Sequence, residues 1–369
     1  MTKTGVYIHV PFCRRKCAYC DFYSVCDLSP MDDYVDALCR EIRAAGDDRL
    51  VDTIFVGGGT PSLLRAAQWR RIFDALTDAF ILDYLEEFTV ECNPESCSAE
   101  LFDALRSLGV NRLSIGVQSL QDEVLAVMGR VHTADEALAA LRMAHTLFAN
   151  VNADYIVGLP HQSAASVTAD LAAMLPFVRH VSVYALQLEE GTPIERSVRA
   201  GRIALPDEDE AAALYQAAAD YLQAHGLTRY EVSNFAASGY QCRHNLHCWQ
   251  SKEYMGFGPA AHSFAGGRRF YHSPDLAAYM ADCTRYRDEG DNTLSDRKEE
   301  TIMLGLRTTL GVDLAAYYER FGVDFCEEYA AVLANPLVRK TCSICDGYFR
   351  IDPELLYVSN QISLLFINK

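Results

Sequence analysis

The chain is short of positive charge, of long apolar runs and of any repeat. Its 369 residues carry 33 Lys+Arg against 50 Asp+Glu, a net charge of −17. That deficit argues against non-specific binding to nucleic acid or to an anionic membrane surface. No segment approaches the roughly 18 uninterrupted apolar residues of a membrane span. The first residues run straight into a strand-like segment at 6–10, with no apolar signal-peptide core. The expectation is a soluble cytoplasmic protein without a nucleic-acid partner. Glycine has no three-residue period, which excludes collagen, and half of the residues are hydrophobic, which excludes disorder. A chain this long is no disulfide mini-scaffold, and 13 cysteines, an odd number, do not form a framework in a reducing compartment. Most of them read as small buried hydrophobes, with some available to bind metal.

What is present is a repeated alternation. Apolar, β-rich runs at 6–10, 53–56, 88–92, 112–116, 152–156, 180–186 and 228–232 alternate with stretches of helical period at 31–45, 66–79, 99–108, 134–147, 166–175 and 208–224. Ser98, Thr133 and Ser163 open three of these helices as cap-like residues. Such βα units imply a parallel sheet that either closes like a barrel or stays open and doubly wound, and periodicity does not choose between them. Beyond about Tyr240 the pattern changes to Tyr254-Met-Gly-Phe-Gly-Pro-Ala-Ala-His262 and then to polar sequence. Helical segments at 299–308 and 314–321, a strand-like Tyr348-Phe-Arg-Ile351 and an amphipathic run at 355–366 suggest a smaller α+β, winged-helix-like unit. The expected division is 1–240 and 241–369.

The sharpest local feature is Cys13-Arg-Arg-Lys-Cys17-Ala-Tyr-Cys20, three thiols on a loop directly after the first strand. Thiolates suit iron-sulfur clusters and zinc. Four ligands close a structural zinc site, whereas three leave one iron of a cubane open to an outside chelator. The Cys-x3-Cys-x2-Cys spacing points to a [4Fe-4S] cluster whose open iron takes the amino and carboxylate groups of S-adenosylmethionine. A zinc ion completed by a distant Cys or His is the alternative. Cys26 is read as unligated.

Tyr7-Ile-His-Val-Pro-Phe-Cys13 and the triplet resemble the start of a radical SAM protein of the oxygen-independent coproporphyrinogen III oxidase family. The resemblance continues through Gly57-Gly-Gly-Thr-Pro-Ser62, Glu91-Cys-Asn-Pro-Glu95, Leu113-Ser-Ile-Gly-Val-Gln118, Met128-Gly-Arg130, Asp154-Tyr-Ile-Val-Gly-Leu-Pro160 and Tyr230-Glu-Val-Ser-Asn-Phe235. It implies a partial (β/α)6 TIM-like barrel. In the oxidase the motif resembles Cys-x3-Cys-x2-Cys-x-Cys, but Phe22 stands at the last position here. Phe22, a start close to the motif and His244-Asn-Leu-His-Cys-Trp249 resemble the HemW branch, whose members are haem chaperones. Met303-Leu-Gly-Leu-Arg307, Gly311-Val-Asp313 and Val358-Ser-Asn360 resemble it too.

Read on their own chemistry, Gly57, Gly58 and Gly59 either let backbone approach a ligand or simply make a tight turn. Glu91 and Asp154 offer acceptors, Gln118 both donates and accepts, and Arg130 offers a planar fork; each is otherwise a surface or salt-bridge residue. The resemblance implies that the loop at Gly59 and Thr60 meets the amino group of S-adenosylmethionine. It also implies that Glu91, Gln118, Arg130 and Asp154 surround the cofactors, with Tyr7 beside the cluster and Ala185 against the adenosyl portion. His9 is either a core histidine or a group tuning the cluster.

Cys242, His244, His247 and Cys248 crowd into seven residues beside Arg243 and Trp249. They read as haem ligands with a stacking Trp, as a zinc site, or as a loop packed between domains. The HemW resemblance favours haem, with His244 the expected axial ligand and Trp249 against the porphyrin. Cys248 stands where that branch has Tyr. Cys342-Ser-Ile-Cys345 matches a redox or half-zinc motif by spacing alone. The resemblance therefore implies a haem-binding and delivery protein with a [4Fe-4S] cluster and S-adenosylmethionine. Its haem acceptor and electron donor are unidentified; a membrane respiratory enzyme is compatible as acceptor, and a homodimer is open. The competing function is oxidative decarboxylation of coproporphyrinogen propionates to vinyl groups, or a related radical SAM reaction.

Overall fold

In the computed structural model, which describes residues 3–47, 49–288, 290 and 293–367, the alternation becomes β1 (Lys3–Val10), α1 (Met31–Ala44), β2 (Leu50–Gly58), α2 (Ala66–Ala79), β3 (Glu87–Cys92), α3 (Ala99–Ser107), β4 (Arg112–Gln118), α4 (Asp122–Met128), α5 (Ala134–Leu147), β5 (Asn150–Val157), α6 (Ala164–Met174) and β6 (His180–Ala185). Ser98, Thr133 and Ser163 cap α3, α5 and α6 through their side-chain oxygens. The six strands are parallel and lie side by side in chain order. A doubly wound sheet reverses its order at a switch point. Without a reversal, right-handed crossovers place every helix on the same face, which is the barrel arrangement.

The two faces differ in chemistry. Alternate residues point to opposite sides of a strand. Val6, Ile8, Ile54, Val56, Val90, Leu113, Ile115, Val181 and Val183 are fully buried in the core shared with the helices. The other set includes Tyr7, His9, Glu87, Thr89, Glu91, Arg112, Ser114, Asn152, Asp154, His180 and Ser182. TIM barrels commonly fill their interior with branched apolar side chains. A polar interior like this one is suited to water or a ligand.

After β6 come α7 (Pro193–Arg199), α8 (Glu208–Ala224), β7 (Thr228–Arg229) and β8 (Asn234–Ala236), with β8 antiparallel to β6. A short α9 (Arg243–Trp249) leads to β9 (Tyr254–Phe257), parallel to the free edge of β1. Then β10 (His262–Ala265), β11 (Arg268–Tyr271), α10 (Leu276–Ala281) and β12 (Arg287–Asp288) complete a twelve-stranded sheet. Residues 254–288 thus build onto the barrel sheet, although the division expected from the sequence groups them with the C-terminal region. One buried carboxylate pins them there. Glu41 on α1 accepts from the Gly258 amide (3.0 Å), Tyr279 (2.5 Å) and Tyr286 (2.9 Å), and lies 2.6 Å from His272 Nε2.

A second core begins with α11 (Leu294–Gly305). It continues through β13 (Val312–Asp313), α12 (Leu314–Phe321), β14 (Cys342–Cys345) and β15 (Tyr348–Ile351), the strands forming a small antiparallel sheet. This is the expected α+β unit. It meets the barrel where Val232 N–H donates to Arg307 O (2.9 Å) and Thr309 N–H to Tyr230 O (3.0 Å). Among the described residues no helix is long and apolar enough to cross a membrane.

Candidate cofactor site

The cysteine loop leaves β1 at the C-terminal edge of the sheet and is fastened at both ends. Val25 N–H donates to Pro11 O (2.7 Å) and Cys13 N–H to Val25 O (3.0 Å). Further along, Ala18 N–H donates to Met128 O (2.8 Å) and Ile194 N–H to Ala18 O (2.9 Å). Cys13, Cys17 and Cys20 are half-exposed on this loop, and Cys26 is exposed. Thr60 Oγ1 donates to Cys13 Sγ (3.5 Å), and Arg130 Nη1 donates to Cys17 Sγ (3.4 Å). The Thr60 contact favours the Cys13 thiolate. Burial works the other way, pushing the Cys20 thiol up to about 11 and Cys13 upward, so metal must displace these protons. Among the described residues no three His, Cys, Asp or Glu side chains converge on one point as a single ion requires. A cubane does not require it, because each thiolate binds a different iron. The donor set therefore fits a cluster better than zinc.

The three glycines are there because their neighbours leave no room. A Cβ at Gly57 would stand 2.8 Å from the Glu91 carboxyl carbon, and one at Gly59 would stand 2.7 Å from the carbonyl oxygens of Val10 and Phe12. Gly58 has φ +102°, and a Cβ there would meet the His9 ring at 2.6 Å. Gly59 and Thr60 N–H donate to Val10 O (2.8 Å) and Phe12 O (2.7 Å), clamping the cysteine loop to β2. An ammonium group needs acceptors rather than donors, so this engagement is compatible with the expected contact to an amino group.

Around that clamp the predicted residues gather at one edge in several hydrogen-bonded groups. Arg130 Nη2 donates to Gly116 O (2.8 Å) and to Asn93 Oδ1 (2.9 Å), and Asn93 Nδ2 donates to Thr60 Oγ1 (2.9 Å). Asn93 thus links the two sulfur donors. Sequence reasoning did not select it, although it is the third residue of the Glu91–Glu95 motif. Gln118 sits just past a register irregularity in β4 with φ +66°, a conformation disfavoured outside glycine that re-aims its side chain. A Cβ on Gly116 would lie 3.0 Å from Gln118 Nε2. Glu91 accepts from Gly58 N–H (3.2 Å), yet burial and then the neighbouring Asp154 push its carboxyl up to about 8. Asp154 is itself raised by burial, although Asn152 (2.8 Å) and Ser114 (3.2 Å) donate to it. Burial, then Glu91, also raises Tyr7, whose hydroxyl lies 3.1 Å from His9 Nδ1. His9 Nε2 in turn lies 2.9 Å from Tyr23 O, which ties the histidine to the cysteine loop. Ala185 ends β6, paired with Val157 at the same edge.

His244 and Trp249 are not brought to this edge. Glu87 at the opposite end of β3 gathers the start of α9: it accepts from Arg243 N–H (2.8 Å), His244 N–H (3.0 Å) and Cys242 Sγ (3.3 Å). The His244 ring is 5% exposed, packs 5.4 Å from the Phe55 ring, and places Nδ1 3.1 Å from Thr53 Oγ1. Burial, then His247 and Arg112, push it down to about 3, so it is neutral. The ring expected as an axial ligand is enclosed by protein on the barrel floor. Of the readings weighed for this segment, packing between domains fits best. Trp249 lies between barrel and C-terminal unit, under the Arg307 guanidinium at 5.8 Å. Cys342 and Cys345 end up on β14 of the small sheet, apart from both regions.

Comparison with known proteins agrees with this geometry. A Radical SAM superfamily profile matches residues 7–172, and a HemN C-terminal domain profile matches 292–354. The protein named Heme chaperone HemW of Bacillus subtilis (strain 168) is 36% identical over 373 residues, covering 98% of this chain and 96% of that one. The chain belongs to the HemW family of radical SAM proteins. The HemW protein of Mycobacterium tuberculosis (strain H37Rv) is 38% identical over 350 residues, covering 90% of this chain and 88% of that one. The solved structure of HemN, the coproporphyrinogen III oxidase of Escherichia coli, superposes with a TM-score of 0.84 over 99% of this chain and 90% of its own, at 22% identity. That likeness concerns the fold. Membership of the radical SAM superfamily implies a [4Fe-4S] cluster and S-adenosylmethionine, and in this HemW-family chain the thiols with their two donors, beside a pair of carboxylates raised by burial, suit both groups.

Proposed function

We propose that this protein binds haem and delivers it to an acceptor protein, carrying a [4Fe-4S] cluster on Cys13, Cys17 and Cys20 and S-adenosylmethionine in the polar barrel interior. The observation that carries the reading is end-to-end similarity to relatives named as haem chaperones. Bound together, the two cofactors supply one-electron chemistry. The chain's own residues hold and shield them. Arg130 and Thr60 donate to the sulfurs of Cys17 and Cys13, which would hold the cluster; Tyr7 and His9 would wall the strand side, and Glu91, Gln118 and Asp154 would offer acceptors for amino and hydroxyl groups, with the Gly59–Thr60 loop and Ala185 completing the pocket. In functional terms residues 1–240 form the cofactor core, and 241–369 the region that meets haem and acceptor. Phe22, where the oxidase resemblance has a fourth cysteine, supports the chaperone over the decarboxylase.

An anaerobic haem titration of the cluster-reconstituted protein, followed at the Soret band, tests this directly. The expected result is saturable one-to-one binding, with transfer to an apo-haemoprotein and no vinyl product from coproporphyrinogen. Weak, unsaturable binding together with propionate decarboxylation would overturn it in favour of the oxidase.

A further inference from the structure

The turn between β7 and β8 contains a buried carboxylate that the cofactor network does not use. Glu231 is fully buried; its Oε2 accepts from Ser233 N–H (3.2 Å), Asn234 lies within reach of the carboxylate, and Oε1 has no partner at hydrogen-bonding geometry. Close by, the 3% exposed Asn234 also leaves Oδ1 without a partner. An unpaired buried acceptor is costly and is normally found where water or a ligand group completes it. Both residues belong to the chamber wall. Asn234 pairs directly across from Ser182, so the two share a face, and Ser182 Oγ sits in the interior network with Asn152 (3.0 Å).

Tyr184, two residues beyond Ser182 on the same face of β6, is 41% accessible, so this face opens onto space rather than onto packed core. The Asn234 side chain reaches the Glu231 carboxylate, which sets Glu231 beside that face.

The backbone of this residue faces the other way. Glu231 forms an antiparallel bridge with Thr308, flanked by the Val232–Arg307 and Tyr230–Thr309 hydrogen bonds. On the barrel side Ser233 O accepts from Val183 N–H (2.7 Å), and Tyr215 OH donates to Val232 O. One four-residue turn thus joins β6, the chamber and the C-terminal unit.

We propose that Glu231 and Asn234 form an acceptor contact for a hydroxyl- or amino-bearing ligand in the chamber, and that this contact couples ligand occupancy to the C-terminal unit through the bridge at 307–309. The proposal rests on the reading above that S-adenosylmethionine occupies the chamber. A ligand donor that engages Oε1 holds the turn in place, and the turn holds the seam.

The test uses full-length, cluster-reconstituted protein with S-adenosylmethionine as the probe. Equilibrium binding and hydrogen exchange at 305–311 are measured for wild type, Glu231→Gln and Asn234→Ala. We expect ligand-dependent protection at 307–309 in wild type. In the variants we expect about tenfold weaker binding and loss of that protection, with iron content unchanged. If Glu231→Gln fails to fold, Asn234→Ala decides alone. Wild-type affinity and protection in the folded variants overturn this inference while leaving the cofactor reading intact. Failure of the wild type to bind the probe removes the cofactor reading and this inference with it.

Discussion

The two ends of the barrel interior carry the same kinds of residues and treat them differently. At the floor, Glu87 receives three donors from the start of α9, and His180 lies between Asn152 (2.6 Å) and Tyr230 (2.8 Å). At the upper edge burial and then Asp154 raise the Glu91 carboxyl, burial raises Asp154, Gln118 is held in a left-handed conformation, and two donors point at sulfur. The floor commits these polar groups to protein partners that hold α9. At the edge the Glu91 carboxyl stays raised despite its donor, which is how perturbed groups signal a site. A histidine-rich motif and a cysteine-rich motif look equally functional in sequence, and the partners their side chains find distinguish them.

The largest effect expected from this contrast concerns iron. On the proposed reading Cys17→Ala removes a cluster ligand together with its Arg130 contact, and should bring reconstituted iron and sulfide close to zero. Cys242→Ala, at the floor, should leave iron content unchanged and cost only stability. Iron and sulfide analysis with electron paramagnetic resonance reads both. Equal iron loss in the two variants would erase the distinction between edge and floor.

Most of the edge was legible in sequence because it is built from contiguous motifs. A triplet of thiols needs only spacing to be seen, and glycine announces close approach wherever it occurs in a run. The order of the strands was not legible, since period 2 and period 3.6 report faces and not neighbours; the absence of a reversal along β1–β6 settles barrel against doubly wound sheet. Asn93 was passed over because its role depends on Thr60 and Arg130, each more than 30 residues away. The enclosure of His244 was not legible for the same reason. Its environment is set by Glu87, Thr53 and Phe55, and nothing local to 242–249 shows that those residues enclose it. Residues 254–288 join the barrel through Glu41, more than 200 positions upstream.

A middling effect is expected at the floor. His244→Ala deletes a buried ring with its Thr53 contact, and should cost about 2–4 kcal/mol of stability by analogy with other large-to-small core changes. Haem stoichiometry should stay at the wild-type value once the variant is compared under conditions where it is folded. Denaturant unfolding paired with the Soret titration separates the two. Wild-type stability with abolished haem binding would restore His244 as a ligand and move the floor into the functional region.

The smallest effect, and the one that sharpens the comparison most, is a dependence of stability on pH. Glu91 is raised from an ordinary value of 4.5 to about 8, by burial first and Asp154 second, with the Gly58 N–H opposing. Between those two pH values the folded apo-protein keeps a proton that the unfolded chain releases. The contribution is therefore fully present below about pH 4.5 and is lost as pH rises through 8. Glu231, raised to about 7 chiefly by burial, adds to the same trend over a narrower window. Glu91→Gln carries no charge at any pH, so its urea midpoint should fall less steeply from pH 5 to pH 8 than that of the wild type. The Glu231 part of the slope should survive. At the floor no such slope is expected from His244, because a group held near 3 is neutral in the folded protein throughout this range. Its unfolded counterpart, protonated below about 6.5, opposes the Glu91 trend only at the acidic end. Comparing the slopes from pH 7 to pH 8, where the imidazole is largely silent and the Glu91 carboxyl is still titrating, isolates the edge. Parallel slopes for wild type and Glu91→Gln in that interval would mean that Glu91 is already compensated, and that the edge differs from the floor less than its geometry indicates.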